Sequence, residues 1–212
     1  MIFYNGCSFT AGSELENPEE HRYSRLVSTH YKTDEVNISE SGRCNDVILR
    51  TTIDWFTKNG NCDLAVIQFS EWDRVEWVDS TGWRWNIGNG TCNREANKKY
   101  EQEILTNPSE SYYKYYHSPT TSIDNFYRNW YLMKMFLESI NQEYIFIQLG
   151  GPRGSRLARD VNSAWDFINF VNPPEVMDWL PYQNRKQNGF YNGTHPSELG
   201  HKVIATNIIQ WR

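Results

Sequence analysis

The chain has 212 residues, 39% hydrophobic and 22% charged, a composition typical of a folded globular protein. The net charge of -5 lacks the basic excess of nucleic-acid-binding proteins, so we expect no nucleic-acid partner. No apolar run approaches the roughly 18 residues needed to cross a membrane, and no leader precedes the first predicted strand. We therefore expect no membrane partner and a cytoplasmic protein with free cysteine thiols. The four cysteines form no C-x-x-C pair, which argues against a zinc site.

Apolar runs alternate with helical patterns along most of the chain. Strands are predicted at 1–4, 35–38, 63–69 and 143–150, and helices at about 20–31, 45–58, from 122 onward, at 160–171 and from 196 to the end. Strands that alternate with helices imply a parallel sheet covered on both faces. The predicted fold is a three-layer α/β/α, flavodoxin-like domain that spans residues 1–212 as a single unit.

Residues 71–120 interrupt this alternation. Tryptophans crowd the first part of this stretch, and the run "YYKYY" follows at 112–116. A structureless loop of such length is improbable, so we predict an insertion of hairpin or helical pieces packed over one end of the sheet. The tryptophans, with Trp72 as the candidate, could form a sugar- or acyl-binding wall, or they could be the core of the insertion.

Several polar or small residues directly follow predicted strands. Ligand sites of parallel sheets lie at the carboxyl ends of the strands, so we expect Ser8, Gly42, Ser70 and the loop at Gly151 to gather at one edge. His195 lies in a loop just before the last predicted helix. Taken separately, Ser8 is equally typical of a turn or helix N-cap, and His195 of a solvent-exposed loop.

Two motifs at opposite ends of the chain change this interpretation when they are taken together. "GCSFTAG" at 6–12 and "NGTHPSELGH" at 192–201 resemble the first and last motif blocks of the SGNH hydrolases, also called the GDSL esterase/lipase family. "SGRCND" at 41–46 resembles the second block, and "VIQFSEWDR" at 66–74 stands where the third is expected. The chain is also similar to divergent members carried by tailed bacteriophages, which would place it in the host cytoplasm or in the virion.

The resemblance implies a serine esterase or deacylase that forms an acyl-enzyme on a small acyl ester or an acylated carbohydrate, without a metal or other cofactor. Ser8 would be the nucleophile and His195 the general base. The oxyanion hole would use the N–H groups of Ser8 and Gly42. Ser70 stands about where the family has an asparagine donor, and Asn45 could lend a side-chain donor or cap the next helix.

Three further residues complete the set of predictions. Arg153 could face an anionic part of the substrate or lie in a solvated loop. Cys7 replaces the acidic residue of the family motif and is predicted to be a buried thiol. His201 is predicted to have a surface or packing role.

Asn192 is the gravest departure from the family pattern. It stands three residues before His195, where the family has an aspartate that orients the imidazole, and the comparable change in serine proteases costs about 10⁴ in rate. Another acid or a backbone carbonyl could orient His195, activity could be slow, or the fold could serve as a non-catalytic binding or structural module, such as a component of a phage particle. The acids available for this role are Asp160, Asp166, Asp178 and Glu198, and nothing in the sequence places one of them beside His195.

Overall fold

The computed structural model describes residues 1–78, 80, 82, 84–88, 91–94, 108–148, 179–180 and 188–211. The strands are β1 (Ile2–Asn5), β2 (Glu35–Asn37), β3 (Leu64–Phe69), β4 (Val75–Val78), β5 (Arg84–Gly88), β6 (Thr91–Arg94), β7 (Tyr144–Gln148), β8 (Tyr191–Asn192) and β9 (His195–Pro196). The helices are α1 (Ser8–Ala11), α2 (Pro18–His21), α3 (Tyr23–His30), α4 (Asn45–Asn59), α5 (Pro108–Tyr115), α6 (Pro119–Ser139) and α7 (Glu198–Trp211).

The central sheet has four parallel strands in the order β2-β1-β3-β7. Helices that connect parallel strands run back across the sheet, so α4 and α6 begin at the carboxyl edge of the strands. Helices α3 and α7 cover one face of the sheet, and α4 and α6 cover the other. The predicted three-layer α/β/α fold is confirmed.

Side chains of the two central strands alternate between the two faces. Ile2 and Tyr4 join the cluster under α3 and α7, whereas Phe3 points to the cluster under α4 and α6. Every residue of β1 and β3 is buried, as expected for strands of a sheet with both faces covered. This burial fixes the register of β1, and therefore the place where the chain leaves it at the carboxyl edge.

The prediction of one continuous helix at 20–31 is wrong, because the backbone of Arg22 is extended and separates α2 from α3. The Nδ1 atom of His201 accepts a hydrogen bond from the backbone N–H of Tyr23 at 3.1 Å, and the guanidinium of Arg22 pairs with Glu35. These tertiary contacts replace the local helical bonds.

Pro196, which was predicted to open the last helix, belongs instead to β9. The helix predicted at 160–171 lies outside the described residues.

The predicted insertion contains both hairpin and helical pieces. Strands β4, β5 and β6 form an antiparallel sheet, and α5 follows. The sheet packs on the first turns of α4, where the backbone N–H of Glu76 donates to Asp46 at 3.1 Å and the carboxylate of Glu76 pairs with Arg50 at 2.8 Å. The insertion therefore lies at the carboxyl edge of the central sheet.

The cysteine thiols that the structure describes are free. Cys7 and Cys44 are buried and Cys62 is half-buried. In the described part of the chain, no helix combines the length and apolar character needed to cross a membrane.

Candidate active site

Ser8 is the first residue of α1 and lies directly beyond the carboxyl end of β1. The N-cap of this one-turn helix is Cys7, so Ser8 does not fill the capping position. The Ser8 side chain is 6% exposed, and its Oγ atom donates to the sulfur of Cys7 at 3.9 Å. Gly12 ends the helix in the left-handed conformation, with φ of 79°.

Buried hydrogen bonds hold the turn that carries Ser8. Thr10 donates to the side-chain oxygen of Gln68 on β3 at 2.7 Å and also bonds to the hydroxyl of Tyr23 at 2.6 Å. The sulfur of Cys7, which is fully buried as predicted, lies 3.5 Å from the same oxygen of Gln68. The turn is therefore tied to the neighbouring strand and to α3, which limits the movement of Ser8.

A tight hairpin places His195 beside α1. Asn192 on β8 pairs with His195 on β9 across a two-residue turn. The His195 ring packs edge-on against Phe9, the residue after Ser8, with ring centroids 5.8 Å apart. The first and last sequence motifs thus meet at one end of the sheet, as the resemblance predicts.

The Glu14 carboxylate contacts the Nδ1 atom of the His195 ring. The Oε1 atom of Glu14 lies 2.9 Å from Nδ1, and the hydroxyl of Thr194 lies 3.1 Å from the same nitrogen. A carboxylate at Nδ1 favours the tautomer with its proton there, which leaves the Nε2 lone pair as the basic site. The hydrogen bond with His195 is the main cause that lowers the pKa of Glu14, assisted by the His195 charge and by backbone N–H groups of the hairpin.

The same hairpin holds Glu14 in an unusual backbone conformation. Glu14 has a φ of 67°, which costs a non-glycine residue on the order of 1–3 kcal/mol. The Asn192 amide donates to the Glu14 carbonyl oxygen at 3.0 Å, and the Thr194 backbone N–H donates to the carboxylate at 3.2 Å. Gly193 has a φ of 62°, and a Cβ there would lie 2.7 Å from the Glu14 carboxylate. The segment 192–194 therefore binds the backbone and the carboxylate of Glu14 and leaves space for the carboxylate.

Among the contacts of the described residues, Asn192 does not contact the His195 ring through its side-chain amide. Its amide contacts the backbone of Glu14, and the acid beside His195 comes from the other end of the chain. Glu198 lies beside His21, with 3.6 Å between carboxylate oxygen and Nε2. Asp160, Asp166 and Asp178 lie outside the described residues. Sequence reasoning missed Glu14, although it is the first acidic residue after the Ser8 motif.

The Gly42 turn is held by a residue of the insertion. Gly42 has a φ of 80°, which favours glycine. The buried amide of Asn86 on β5 donates to the Gly42 carbonyl at 2.6 Å and accepts from the Cys44 N–H at 2.8 Å. The Ser41 hydroxyl also bonds to that of Ser13, in the loop that leads to Glu14. Asn86 is a second residue that sequence reasoning missed.

The other two predicted oxyanion donors have different surroundings. Asn45 is the first residue of α4 and does not cap this helix. Its side-chain oxygen accepts a hydrogen bond from the Ser70 N–H at 2.7 Å. Its side-chain nitrogen lies 3.4 Å from the carbonyl oxygens of Ser70 and Glu71. The side chain of Asn45 thus ties α4 to the loop after β3. The Ser70 hydroxyl is buried and has no hydrogen-bond partner among the described residues.

The two predicted substrate contacts differ in what the structure describes. Trp72 is half-buried and packs against the apolar cluster under α4 and α6, and Arg153 lies outside the described residues.

Arg74, in the same loop as Trp72, is a half-buried cation that sequence reasoning did not single out. Its Nε and Nη2 atoms pair with Glu71, and its buried Nη1 has no partner in the described part of the chain. Although burial opposes it, the pKa of Arg74 is raised by Cys7 and Glu71.

His201 has the packing role that was one of its two predicted alternatives. Its ring is fully buried, accepts from Tyr23 and stacks on the Tyr23 ring at 5.9 Å between centroids. Burial, and after it the His195 charge, lowers the pKa of His201 to about 3, so its ring is neutral near neutral pH.

The chain is a three-layer α/β/α protein in which the Ser8 turn and the His195 hairpin lie at the same end of the central sheet. No protein-family model matches the sequence, and neither does any curated protein sequence. Among solved structures, the chain is similar to a member of the lipolytic G-D-S-L family from Veillonella parvula DSM 2008, with a TM-score of 0.54, 12% identity, and coverage of 99% of this chain and 96% of that one. The fold of the chain is therefore that of the GDSL proteins.

Two esterases of known structure share this fold. The psychrotrophic esterase EstA from Pseudoalteromonas sp., solved with monoethylphosphonate as inhibitor, matches with a TM-score of 0.52 and 14% identity over 99% of this chain and 97% of its own. A carbohydrate esterase whose active site displays divergent catalytic and non-catalytic binding functions matches with a TM-score of 0.51 and 12% identity. That match covers 99% of this chain and 63% of the carbohydrate esterase.

Proposed function

We propose that the protein is a serine esterase that hydrolyses a small acyl ester, carried by a simple alcohol or a carbohydrate, through an acyl-enzyme on Ser8. The observation that carries this proposal is the 2.9 Å contact between Glu14 and His195 at the sheet edge where Ser8 begins α1. A serine, a histidine and an acid that orients the histidine are the three parts of a serine hydrolase site.

In the first half of the reaction, the Ser8 oxygen attacks the acyl carbonyl while Nε2 of His195 takes the hydroxyl proton. The Glu14 carboxylate keeps the other ring proton on Nδ1 and stabilises the imidazolium that forms. The tetrahedral intermediate then collapses, and His195 returns its proton to the leaving alcohol. The Ser8 hydroxyl donates to Cys7 in this structure, so the proposed reaction requires it to turn toward the imidazole.

In the second half, a water molecule attacks the acyl-enzyme. His195 removes a proton from this water and then returns it to the Ser8 oxygen as the acid product leaves. In both halves the N–H groups of Ser8 and Gly42 stabilise the negative oxygen, with Ser70 as a third donor. The hydrogen bond from Asn86 to the Gly42 carbonyl supports this assignment, because the donors of an oxyanion hole must already be rigid when the charge develops.

A second candidate function belongs to another class. The low exposure of Ser8 and its contact with Cys7 favour a catalytically inactive SGNH-like module that binds a ligand or serves a structural role, for example in a virion. In that case Glu14 and His195 would be an ion pair that stabilises the hairpin. The two candidates differ in whether the Ser8 hydroxyl is reactive.

The test is turnover of p-nitrophenyl acetate together with labelling by a fluorophosphonate probe and peptide mapping. We expect the wild-type protein to hydrolyse the ester and to be labelled at Ser8. Ser8→Ala should lose both and keep its circular dichroism spectrum. Ser139→Ala, an exposed serine near the end of α6, should keep both. Activity that persists in Ser8→Ala would refute the assignment, and an unlabelled, inactive wild type would favour the non-catalytic module.

A further inference from the structure

A cavity of about 580 Å³ lies outside the Ser8 site. It is bounded by β4, α5 and the first turns of α4 and α6, and none of Ser8, Glu14 and His195 lines it. Because α4 and α6 both begin at the carboxyl edge, the cavity opens at the same edge of the sheet as the candidate active site. Its volume falls within the range of about 300–1,000 Å³ that small-molecule sites occupy.

Aromatic side chains form one side of this cavity. The rings of Trp77 and Tyr116 lie with centroids 6.0 Å apart and planes tilted by 47°. Trp77 is 37% exposed and Tyr116 is 67% exposed, so neither ring is buried in the core of the insertion and both can contact a ligand. Tyr112, which is half-buried, adds a third ring. Flat apolar faces at an open cavity are suited to stacking on the apolar face of a ligand ring.

Polar side chains of α6 also line the cavity. Asp124, Asn125 and Arg128 lie within one helical turn of each other and supply carboxylate, amide and guanidinium groups. Asn125 donates to the Asp46 carboxylate at 3.2 Å and accepts from Arg128, which holds both side chains in place. The Asn125 amide is therefore held in position before any ligand arrives.

Two of the carboxylates that line the cavity, those of Glu76 and Asp46, are paired with arginines. The Glu76 carboxylate contacts Arg50 at 2.8 Å and Arg84 at 2.9 Å. The Asp46 carboxylate lies 3.6 Å from Arg128. Because arginines compensate these two carboxylates, the cavity is suited to a neutral ligand rich in hydroxyl groups.

We propose that this cavity binds a neutral saccharide. One face of a sugar ring stacks on Trp77 and Tyr116, and its hydroxyls bond to the polar groups of α6. Binding does not require Ser8 to react, so it goes beyond the proposed hydrolysis and can hold whether or not the protein is an esterase. If the esterase proposal is also correct, the cavity provides a place for the carbohydrate part of an acylated substrate.

The test uses saturation-transfer NMR and titration of tryptophan fluorescence with neutral trisaccharides built from glucose, xylose, galactose, mannose or N-acetylglucosamine. We expect at least one to bind the full chain, and Trp77→Ala or Tyr116→Ala to weaken that binding roughly three- to tenfold. Tyr115→Ala is the matched control, because Tyr115 is also 67% exposed and next to Tyr116 but outside the cavity lining. Ser8→Ala should bind like the wild type.

Three results would overturn the saccharide proposal. One is that none of the trisaccharides binds. Another is that binding is equally affected by Tyr115→Ala and Tyr116→Ala, or is unaffected by either. The third is that choline, a cationic probe that prefers aromatic rings, binds at this cavity while the saccharides do not.

Discussion

The Nδ1 atom of His195 lies 2.9 Å from the Oε1 atom of Glu14, although the two residues stand near opposite ends of the chain. The contact brings an acid to His195 in a protein that has asparagine where the SGNH motif has aspartate. Asn192 and Gly193 support the contact from the hairpin side, because one binds the Glu14 backbone and the other leaves room for its carboxylate. The acid at His195 is therefore Glu14, which lies close to Ser8 in the sequence rather than in the His195 motif.

We expect Glu14→Gln to lower kcat for ester hydrolysis by about 10²–10⁴ with little change in KM, because glutamine cannot stabilise the imidazolium. The measurement is steady-state kinetics with p-nitrophenyl acetate. Glu16→Gln is the matched control, since Glu16 is an exposed acid two residues further along. Equal kcat values for Glu14→Gln and the wild type would show that Glu14 does not assist His195.

Asn192→Asp should lower kcat/KM by roughly tenfold rather than raise it. Aspartate restores the family residue, but it cannot donate to the Glu14 carbonyl and it adds a negative charge close to the Glu14 carboxylate. Kinetics of this variant and of Asn192→Ala provide the measurement. A gain in rate for Asn192→Asp would mean that the acid acts best from position 192, and that Glu14 is not the orienting group.

Gly193→Ala should reduce activity by about tenfold while the protein stays folded. A Cβ at this position would lie 2.7 Å from the flexible end of Glu14, so the carboxylate must move away from His195. Gly189→Ala separates this effect from backbone strain, because Gly189 also has a positive φ but its Cβ would meet nothing closer than 3.8 Å. Kinetics and thermal unfolding of both variants test the prediction, which fails if the two lose the same activity.

His201 should make the protein less stable in acid. Burial, with a smaller effect of the His195 charge, lowers its pKa from 6.5 to about 3, so between these values the unfolded chain binds a proton that the folded chain does not. The free energy of unfolding should fall as pH falls through this window, by up to about 1.4 kcal/mol per pH unit, and this contribution should be constant at higher pH.

Urea unfolding at several pH values between about 7 and 4 measures this slope. His201→Asn keeps an acceptor for the Tyr23 N–H but removes the titrating ring, so its stability should depend less on pH than that of the wild type. His30→Asn changes an exposed histidine and should leave the slope unchanged. An identical slope in His201→Asn would contradict the prediction.

Strand and helix patterns were predictable wherever local periodicity matches burial. The hydrophobic runs of β1 and β3 predict buried parallel strands because both faces of the sheet are covered, and both strands are fully buried. Prediction failed at Arg22, where tertiary hydrogen bonds to Tyr23 and Glu35 replace helical ones. Sequence periodicity does not register a partner such as His201, which lies on the last helix.

The sequence by itself determined the α/β/α fold class, the meeting of the two end motifs at one edge of the sheet, and the candidacy of Ser8 and His195. The fold class follows from patterns within short segments, whereas the pairing of Ser8 with His195 is what the resemblance of the two end motifs to the SGNH hydrolases implies. Only the tertiary structure decided which acid contacts His195, what Asn192 does, and which residue of the insertion holds the Gly42 turn. Each of these depends on side chains from distant segments that approach within about 3 Å, a distance that spacing along the chain does not encode.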